Sequence, residues 1–331
     1  MDINLKEYEK YLDIPYVKLH FTVRMKEDCH LPRSKTSALR GGTGQMLILQ
    51  NCIHFQTALR DEDCAGCNCR EECLVQRFLY TPMVVQPSFS ADKLSMGYLF
   101  ECENYHETFY AGDTFEFNVI LFGKSRVYLN LLLQAMWALG QRGLGKDKGR
   151  FEIVRILNSR KEDILVSSSY GMQILKEKYL PETLSSYVLF RMKQLQKIGC
   201  SNVIKFQTET ALKYQKKMIT EFNMEAIAVN LARKIYLFNC FEGTDAGREM
   251  AFEDFSKALT ARLPRIQYQK IVPIQVKRFS SRQMSSMWLE GIRGEVRLDH
   301  IPDEMLPYLL AGEIMHIGKN TSFGFGRYRI F

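Results

Sequence analysis

The last twenty residues, Gly312 to Phe331, constrain this chain more than any other stretch. An apolar run from Met305 to Met315 feeds a loop with glycines at 318, 324 and 326, and the chain ends in the alternating Arg327-Tyr328-Arg329-Ile330-Phe331. The pattern predicts a helix, a glycine loop and a short strand. Glycine lacks the Cβ that would hold a ligand away from the main chain, so such a loop is able to offer backbone N–H groups to an anion. Lys319, Arg327 and Arg329 add charge beside it. The spacing is neither a Walker loop nor the dinucleotide fingerprint, so a nucleoside triphosphate is not implied. An extended polyanion fits better. Phe323, Phe325 and Tyr328 are expected to stack on bases while Gly318, Gly324, Gly326 and the neighbouring cations hold phosphates. The competing reading is that the glycines and aromatics only turn the chain and pack its last strand.

A chain of 331 residues suggests two domains. Its 46% hydrophobic and 12% aromatic share is enough for ordinary packed cores. The formal charge of +8 favours a polyanionic partner such as nucleic acid, although charge alone also serves solubility. No apolar run approaches the roughly 18 residues of a membrane span, and Met1 to Lys10 has no signal-peptide core, so a cytoplasmic protein without a membrane partner is expected. In that reducing compartment the nine cysteines are expected to be thiols or metal ligands rather than disulfides.

Along the chain, Tyr16 to Met25 alternates as a half-buried strand does, and Ser34 to Gln50 reads as a helix despite its glycines. A dense cysteine cluster follows: Cys52, then Cys64-Ala-Gly-Cys67-Asn-Cys69-Arg-Glu-Glu-Cys73. Thiolates at C-x2-C spacing are able to bind one ion through a tight turn, and Cys73 with Cys52 would complete a tetrahedral set with Cys64 and Cys67. Cys69 is then the odd one out. Structural zinc is the expectation, against free thiols or an iron–sulfur cluster, and a closed four-thiolate shell would leave no open position for chemistry. Met96 to Glu103 and Thr114 to Leu121 read as strands, and Lys124 to Leu139 as a helix. A second glycine-rich basic loop, Gly140 to Arg150, leads to the strand Phe151 to Leu157.

Strands framing two helices in β-α-β-β-α-β order give a ferredoxin-like unit. The second half repeats the plan after a linker at Asn158 to Pro181. Ser185 to Lys197 reads as a strand. Thr210 to Phe241 reads as largely helical, with Lys213, Lys216, Lys217, Arg233 and Lys234 as its solvated face. Ile266 to Phe279 and Gly294 to Leu298 read as strands. The expected architecture is α+β: two tandem ferredoxin-like (RRM-like) domains at 1–160 and 161–331, with a cysteine-rich insertion in the first.

Taken together, these residues resemble a known family. His316-Ile-Gly318-Lys319-Asn-Thr-Ser-Phe-Gly324-Phe-Gly326-Arg327-Tyr is similar to the terminal glycine-rich loop of the CRISPR-associated endoribonucleases that process precursor CRISPR RNA, the Cas protein six group of the RAMP superfamily. Leu39-Arg40-Gly41 with the Cys52 to Cys73 cluster, Gly140 to Phe151, and Arg278-Phe-Ser-Ser-Arg282-Gln283 resemble its cysteine-bearing branch in the same order. The resemblance implies CRISPR repeat RNA as partner and metal-independent cleavage to a 2′,3′-cyclic phosphate. No cofactor is implied for catalysis. CRISPR effector subunits and a second copy of the chain are further partners compatible with it.

The resemblance also implies a histidine in or just after the first helix of the first domain. His54 follows that helix and His30 precedes it. Lys35 joins them in the candidate catalytic group, and Arg33 and Arg40 are candidate phosphate partners. Alternatively, His54 is a neighbour of the Cys52 metal site and His30 merely sits in a turn. His316 is expected to brace the glycine loop and counts among the candidate RNA-binding residues, Lys319 is expected to contact phosphates, and Lys146, Lys148, Arg150, Arg278, Arg282 and Arg327 to add to the RNA surface. His20 is read as structural. The same fold also serves non-catalytic RAMP subunits that grip guide RNA. A zinc-stabilised DNA-binding regulator is a third reading, weakened by the absence of helix-turn-helix or C2H2 spacing.

Overall fold

A computed structural model describes residues 5–54, 64, 66–89, 94–168, 171–199, 202–280 and 285–331. The helix α1 (Leu5–Leu12) precedes the first unit, which runs β1 (Pro15–Met25), α2 (Lys35–Asn51), β2 (Tyr98–Glu101), β3 (Thr114–Phe122), α3 (Leu129–Arg142) and β4 (Phe151–Leu157). After α4 (Leu184–Ile198), the second unit runs β5 (Val203–Thr210), α5 (Met224–Glu242), β6 (Ile266–Ser280), β7 (Ser285–Leu298), α6 (Leu306–Met315) and β8 (Tyr328–Ile330). The sheets are ordered β2-β3-β1-β4 and β6-β7-β5-β8, with every neighbouring pair antiparallel. Both are the ferredoxin-like arrangement, so the α+β tandem expectation holds.

The alternation in β1 explains its placement. Val17, Leu19, Phe21 and Val23 point to one face and are buried with Leu39 and Leu47 of α2 and Leu132, Leu133 and Met136 of α3. The opposite face divides in two. At one end Tyr16, Leu99, Ile120 and Phe122 join the core of the second domain, with the Phe122 and Phe238 rings 4.8 Å apart. Further along, Lys18, His20, Thr22 and Arg24 replace the apolar side chains and the face opens. Each fully buried large apolar side chain contributes about 1.5–3 kcal/mol, so the shared half holds the two units together.

Three expectations for the second half change. Ser185 to Lys197 is not a strand but part of α4. Thr183 accepts from the Ser186 N–H while the Ser186 hydroxyl is also the acceptor for the Thr183 N–H, and Gly199 closes the helix at φ +76°. The stretch between the units is not featureless, because Leu165–Ser168 pairs with Gly171–Ile174 as a hairpin. The helix predicted from Thr210 begins only at Met224, where the Asn223 side chain accepts from the Ala226 N–H. Before it, Lys213–Tyr214 pairs with Lys217–Met218.

The end of the chain is anchored by a buried ion pair. Glu313 on α6 accepts from Arg191 Nε at 2.9 Å and Nη2 at 3.2 Å, from the Tyr187 hydroxyl at 2.6 Å and from the Ile330 N–H at 2.8 Å. Arg191 Nη2 also donates to the Ile330 carbonyl at 2.7 Å. α4 and β8 are thereby fastened to α6. Removing one member of such a pair leaves the other buried and uncompensated, which costs about 3–5 kcal/mol. Glu313→Gln is therefore expected to lower the unfolding free energy by roughly that amount in urea titration. A loss within about 0.5 kcal/mol, typical of a surface substitution, would contradict the anchoring role.

Candidate nucleic-acid interface at the domain seam

Where the first sheet passes from apolar to polar, Glu101 at the end of β2 is buried and meets groups from both domains. Its Oε2 lies 2.7 Å from Lys18 Nζ and accepts from Asn118 Nδ2 at 2.8 Å, both within the first sheet. Its Oε1 lies 3.0 Å from His316 Nε2 and 3.5 Å from Arg327 Nε, both on the second domain's terminal loop. Burial alone would raise the carboxyl's pKa. Lys18, His316 and Arg327 outweigh it and hold Glu101 well below the usual carboxylate range. Arg327 also pairs with Glu103.

His316 is fully buried, and its Nδ1 lies 3.0 Å from the Phe325 carbonyl. Both ring nitrogens thus face acceptors, and only the imidazolium donates to both. Burial lowers its pKa, opposed by Glu101 and by the Phe325 carbonyl. The ring braces the loop against β2 and, fully buried, does not face solvent. Beneath it, buried Lys234 of α5 donates to the Met315 carbonyl and to Thr321 Oγ1, and burial pushes its pKa down to about 7. Lys234 therefore does not belong to a solvated face.

The glycine loop is not bare. The N–H groups of Ile317, Lys319, Phe323, Gly324 and Gly326 donate to the carbonyls of Gly326, Ala211, Asn320, Thr321 and Glu209, and that of Arg327 donates to Thr208 Oγ1. Phe323, Phe325 and Tyr328 are buried, so they do not offer bases a stacking platform. Glycine is needed for a different reason. A Cβ on Gly326 would lie 1.9 Å from the Ile317 carbonyl oxygen, and one on Gly318 would lie 2.3 Å from that of Ala211, with both residues at positive φ. Gly324 packs against Phe100 and Thr36 of the first domain. The loop is a wedge in the seam.

The other candidates scatter around this seam. His30 is exposed in a two-residue strand, its Nδ1 3.6 Å from Asp147 Oδ2. His54 is exposed in the turn after α2. Lys35 is buried at the start of α2 and donates to the carbonyls of Pro32, Asn104 and His106, above the rings of Phe109 and Phe115. Burial lowers its pKa. As folded, it fastens the 104–106 turn and does not face solvent, so a phosphate would have to draw it from these partners.

Arg33 is exposed, whereas the Arg40 guanidinium lies 4.3 Å from the Phe323 ring centre, a second tie between the domains. Lys146 and Lys148 are exposed on the loop closed by the Leu144–Gly149 bridge, and Arg150 pairs with Glu27 at 2.8 Å. Arg278 lies on β6 with its side chain undescribed, and Arg282 lies outside the described residues. Cys52, Cys64, Cys67 and Cys73 are not joined in disulfides, and Cys73 occupies the N-cap position of the helix Leu74–Leu79 without a side-chain cap bond. Among the described residues no three metal-ligating side chains converge, so as folded these cysteines do not form a tetrahedral set. No described helix is long and apolar enough to cross a membrane.

Two ferredoxin-like units sharing a core and a charged seam define a tandem ferredoxin-like protein. Residues 204–328 match the family of the CRISPR-associated endoribonuclease Cas6, and residues 14–179 match an N-terminal domain family, AF_1859_N. The first domain thus belongs to the AF_1859_N family, and residues 204–328 form a Cas6-family domain. No curated protein matches it. Among solved structures, a partial Cas6-RT-Cas1–Cas2 complex superposes with a TM-score of 0.55 at 13% identity, over 97% of this chain and 47% of that one. The fuller Cas6-RT-Cas1–Cas2 complex gives the same TM-score, with this chain spanning 29% of its length. A Thermus thermophilus Cas6 product complex has a TM-score of 0.51 at 12% identity, over 96% of this chain and all of that one. At such identities the likeness concerns the fold.

The seam generates a pH prediction. Glu101 has a depressed pKa in the folded state, so its stabilisation is present above the unfolded value of about 4.3 and is lost as pH falls through the folded value. The stability difference between wild type and Glu101→Gln should therefore be largest above about pH 5 and shrink on acidification. A difference that stayed constant between about pH 7 and pH 3 would show that Glu101 is not held ionised by the seam.

Proposed function

We propose that this chain is an endoribonuclease that cleaves CRISPR repeat RNA without a metal ion, releasing guide units. The observation that carries the reading is the Cas6 family match over the second domain. A seam that fixes that domain against the first, as substrate positioning across two domains would require, supports it. In the proposed reaction a base removes the proton of a ribose 2′-OH and that oxygen attacks the adjacent phosphorus. Cations stabilise the added negative charge, and an acid protonates the departing 5′-oxygen. The products are a 2′,3′-cyclic phosphate and a 5′-hydroxyl.

His54 and His30 are the candidates for the proton-transfer roles, because both are exposed near the ends of α2. Histidine suits such roles, its unperturbed pKa lying near working pH. Buried His316 is assigned to bracing the loop. Labelled repeat RNA incubated in EDTA is expected to be cut by wild type, with the rate lowered about 10²–10⁴-fold in His54→Ala or, failing that, His30→Ala. Binding without cleavage by wild type would replace this reading with a non-catalytic RAMP subunit.

Zinc in the cysteine cluster is proposed separately, as a structural ion requiring the thiols to draw together. Metal analysis of the purified protein is expected to give about one equivalent, and less than about half would count against the site.

A further inference from the structure

The hairpin Lys213–Met218 stands out on the second domain. Its two strands are two residues each, and its loop is Gln215-Lys216. Both loop residues have positive φ, +46° and +67°. A two-residue loop of this hand ordinarily carries Asn-Gly or Gly-Gly, because a side chain in the left-handed region is strained. Here the strained positions hold a glutamine and a lysine, with Lys217 immediately after. Lys213, Lys216 and Lys217 are all exposed.

The hairpin is fixed at its root. The Ile219 N–H donates to the Leu212 carbonyl at 3.0 Å, Asn230 Nδ2 donates to the Lys213 carbonyl at 3.3 Å, and Tyr214 hydrogen-bonds Glu225 in the first turn of α5. Lys319 is brought to the same root, because Ala211 and Lys319 form a bridge with the Lys319 N–H donating to Ala211 at 2.8 Å. That approach requires glycine at 318. Among the described residues none of these four lysines forms an ion pair, whereas Glu27, Glu101, Glu103, Glu116, Glu152, Glu209 and Glu313 all have a lysine or arginine partner.

We propose that Lys213, Lys216, Lys217 and Lys319 form a phosphate grip for an RNA strand on the second domain. The proposal rests on the endoribonuclease reading and adds a binding site to it. Lys217 leaves the hairpin on the Tyr214 face, Lys213 on the Met218 face and Lys216 at the tip. Such a spread of flexible ammonium groups suits successive phosphates of one strand rather than the edge of a base, so the grip adds affinity without sequence preference.

The test measures repeat-RNA binding by fluorescence anisotropy over a series of KCl concentrations. Each phosphate contact to a single strand contributes about 0.7 to the slope of log K against log salt, so Lys213→Gln/Lys216→Gln/Lys217→Gln should flatten it by about 2. Its Kd should rise roughly tenfold or more at low salt. A second variant, Gln215→Asn/Lys216→Gly, suits the turn better and removes one lysine. It should raise Tm while weakening binding. A triple variant with the full wild-type slope, alongside a wild type that binds and cleaves, would overturn the grip alone. A wild type that neither binds nor cleaves would overturn both readings.

Discussion

The structure depends on Glu101, a carboxylate buried where two domains meet. Removing it from water costs several kcal/mol, and the cost is recovered only when its partners are in place. Lys18 and Asn118 come from the first sheet, His316 and Arg327 from the second domain's terminal loop. A rotation of one domain would strand the carboxylate with half its partners and leave His316 Nε2 facing no acceptor. Apolar contact such as Phe122 on Phe238 supplies attraction, but it is non-directional. The charged cluster is what selects one orientation.

This changes the meaning of the terminal glycines. Their spacing drew attention because bare main chain is able to bind anions, yet most of the loop's N–H groups are occupied by the loop itself and by β5. Gly318 and Gly326 allow contacts that any Cβ would block, and Gly324 presses against the first domain. The competing reading, turn and pack, describes the glycines and aromatics correctly. The loop's part in the proposed RNA binding is then indirect: it seats His316 and Arg327 in the seam and sets exposed Lys319 beside the lysine hairpin.

Much of the fold was legible because its signals are local. Alternation in Tyr16 to Met25 and the apolar run before His316 located a strand and a helix within a residue or two. Ser185 to Lys197 looks strand-like taken by itself because the caps that mark it as a helix, Thr183 and Gly199, lie just beyond its two ends. The site was less legible. Nothing local to Lys35 says that its ammonium is buried beneath the carbonyls of residues roughly seventy positions away. Glu101 was missed altogether, because a carboxylate at a strand end looks like any solvent-facing acid until the second domain is placed against it. Its one signal was the run Tyr98-Leu-Phe-Glu101, with a charge directly following three apolar residues.

The division of charge follows one logic. Buried cations are consumed: Lys234 by the Met315 carbonyl, Lys35 by the 104–106 turn, Arg191 by Glu313. They hold elements in place, and in a low-dielectric setting an approaching phosphate would have to compete with bonds already made. A polyanion therefore recruits cations whose partner is water, since releasing hydration and counterions costs less than dismantling a buried pair. Lys213, Lys216, Lys217, Lys319 and Lys146 are exposed and form no ion pair among the described residues, while Arg150 and Arg327, equally basic in sequence, already have carboxylate partners. Charge counted along the sequence overstates the surface free to meet a polyanion, and the lysines on strained or solvent-facing turns are where the proposed RNA surface begins.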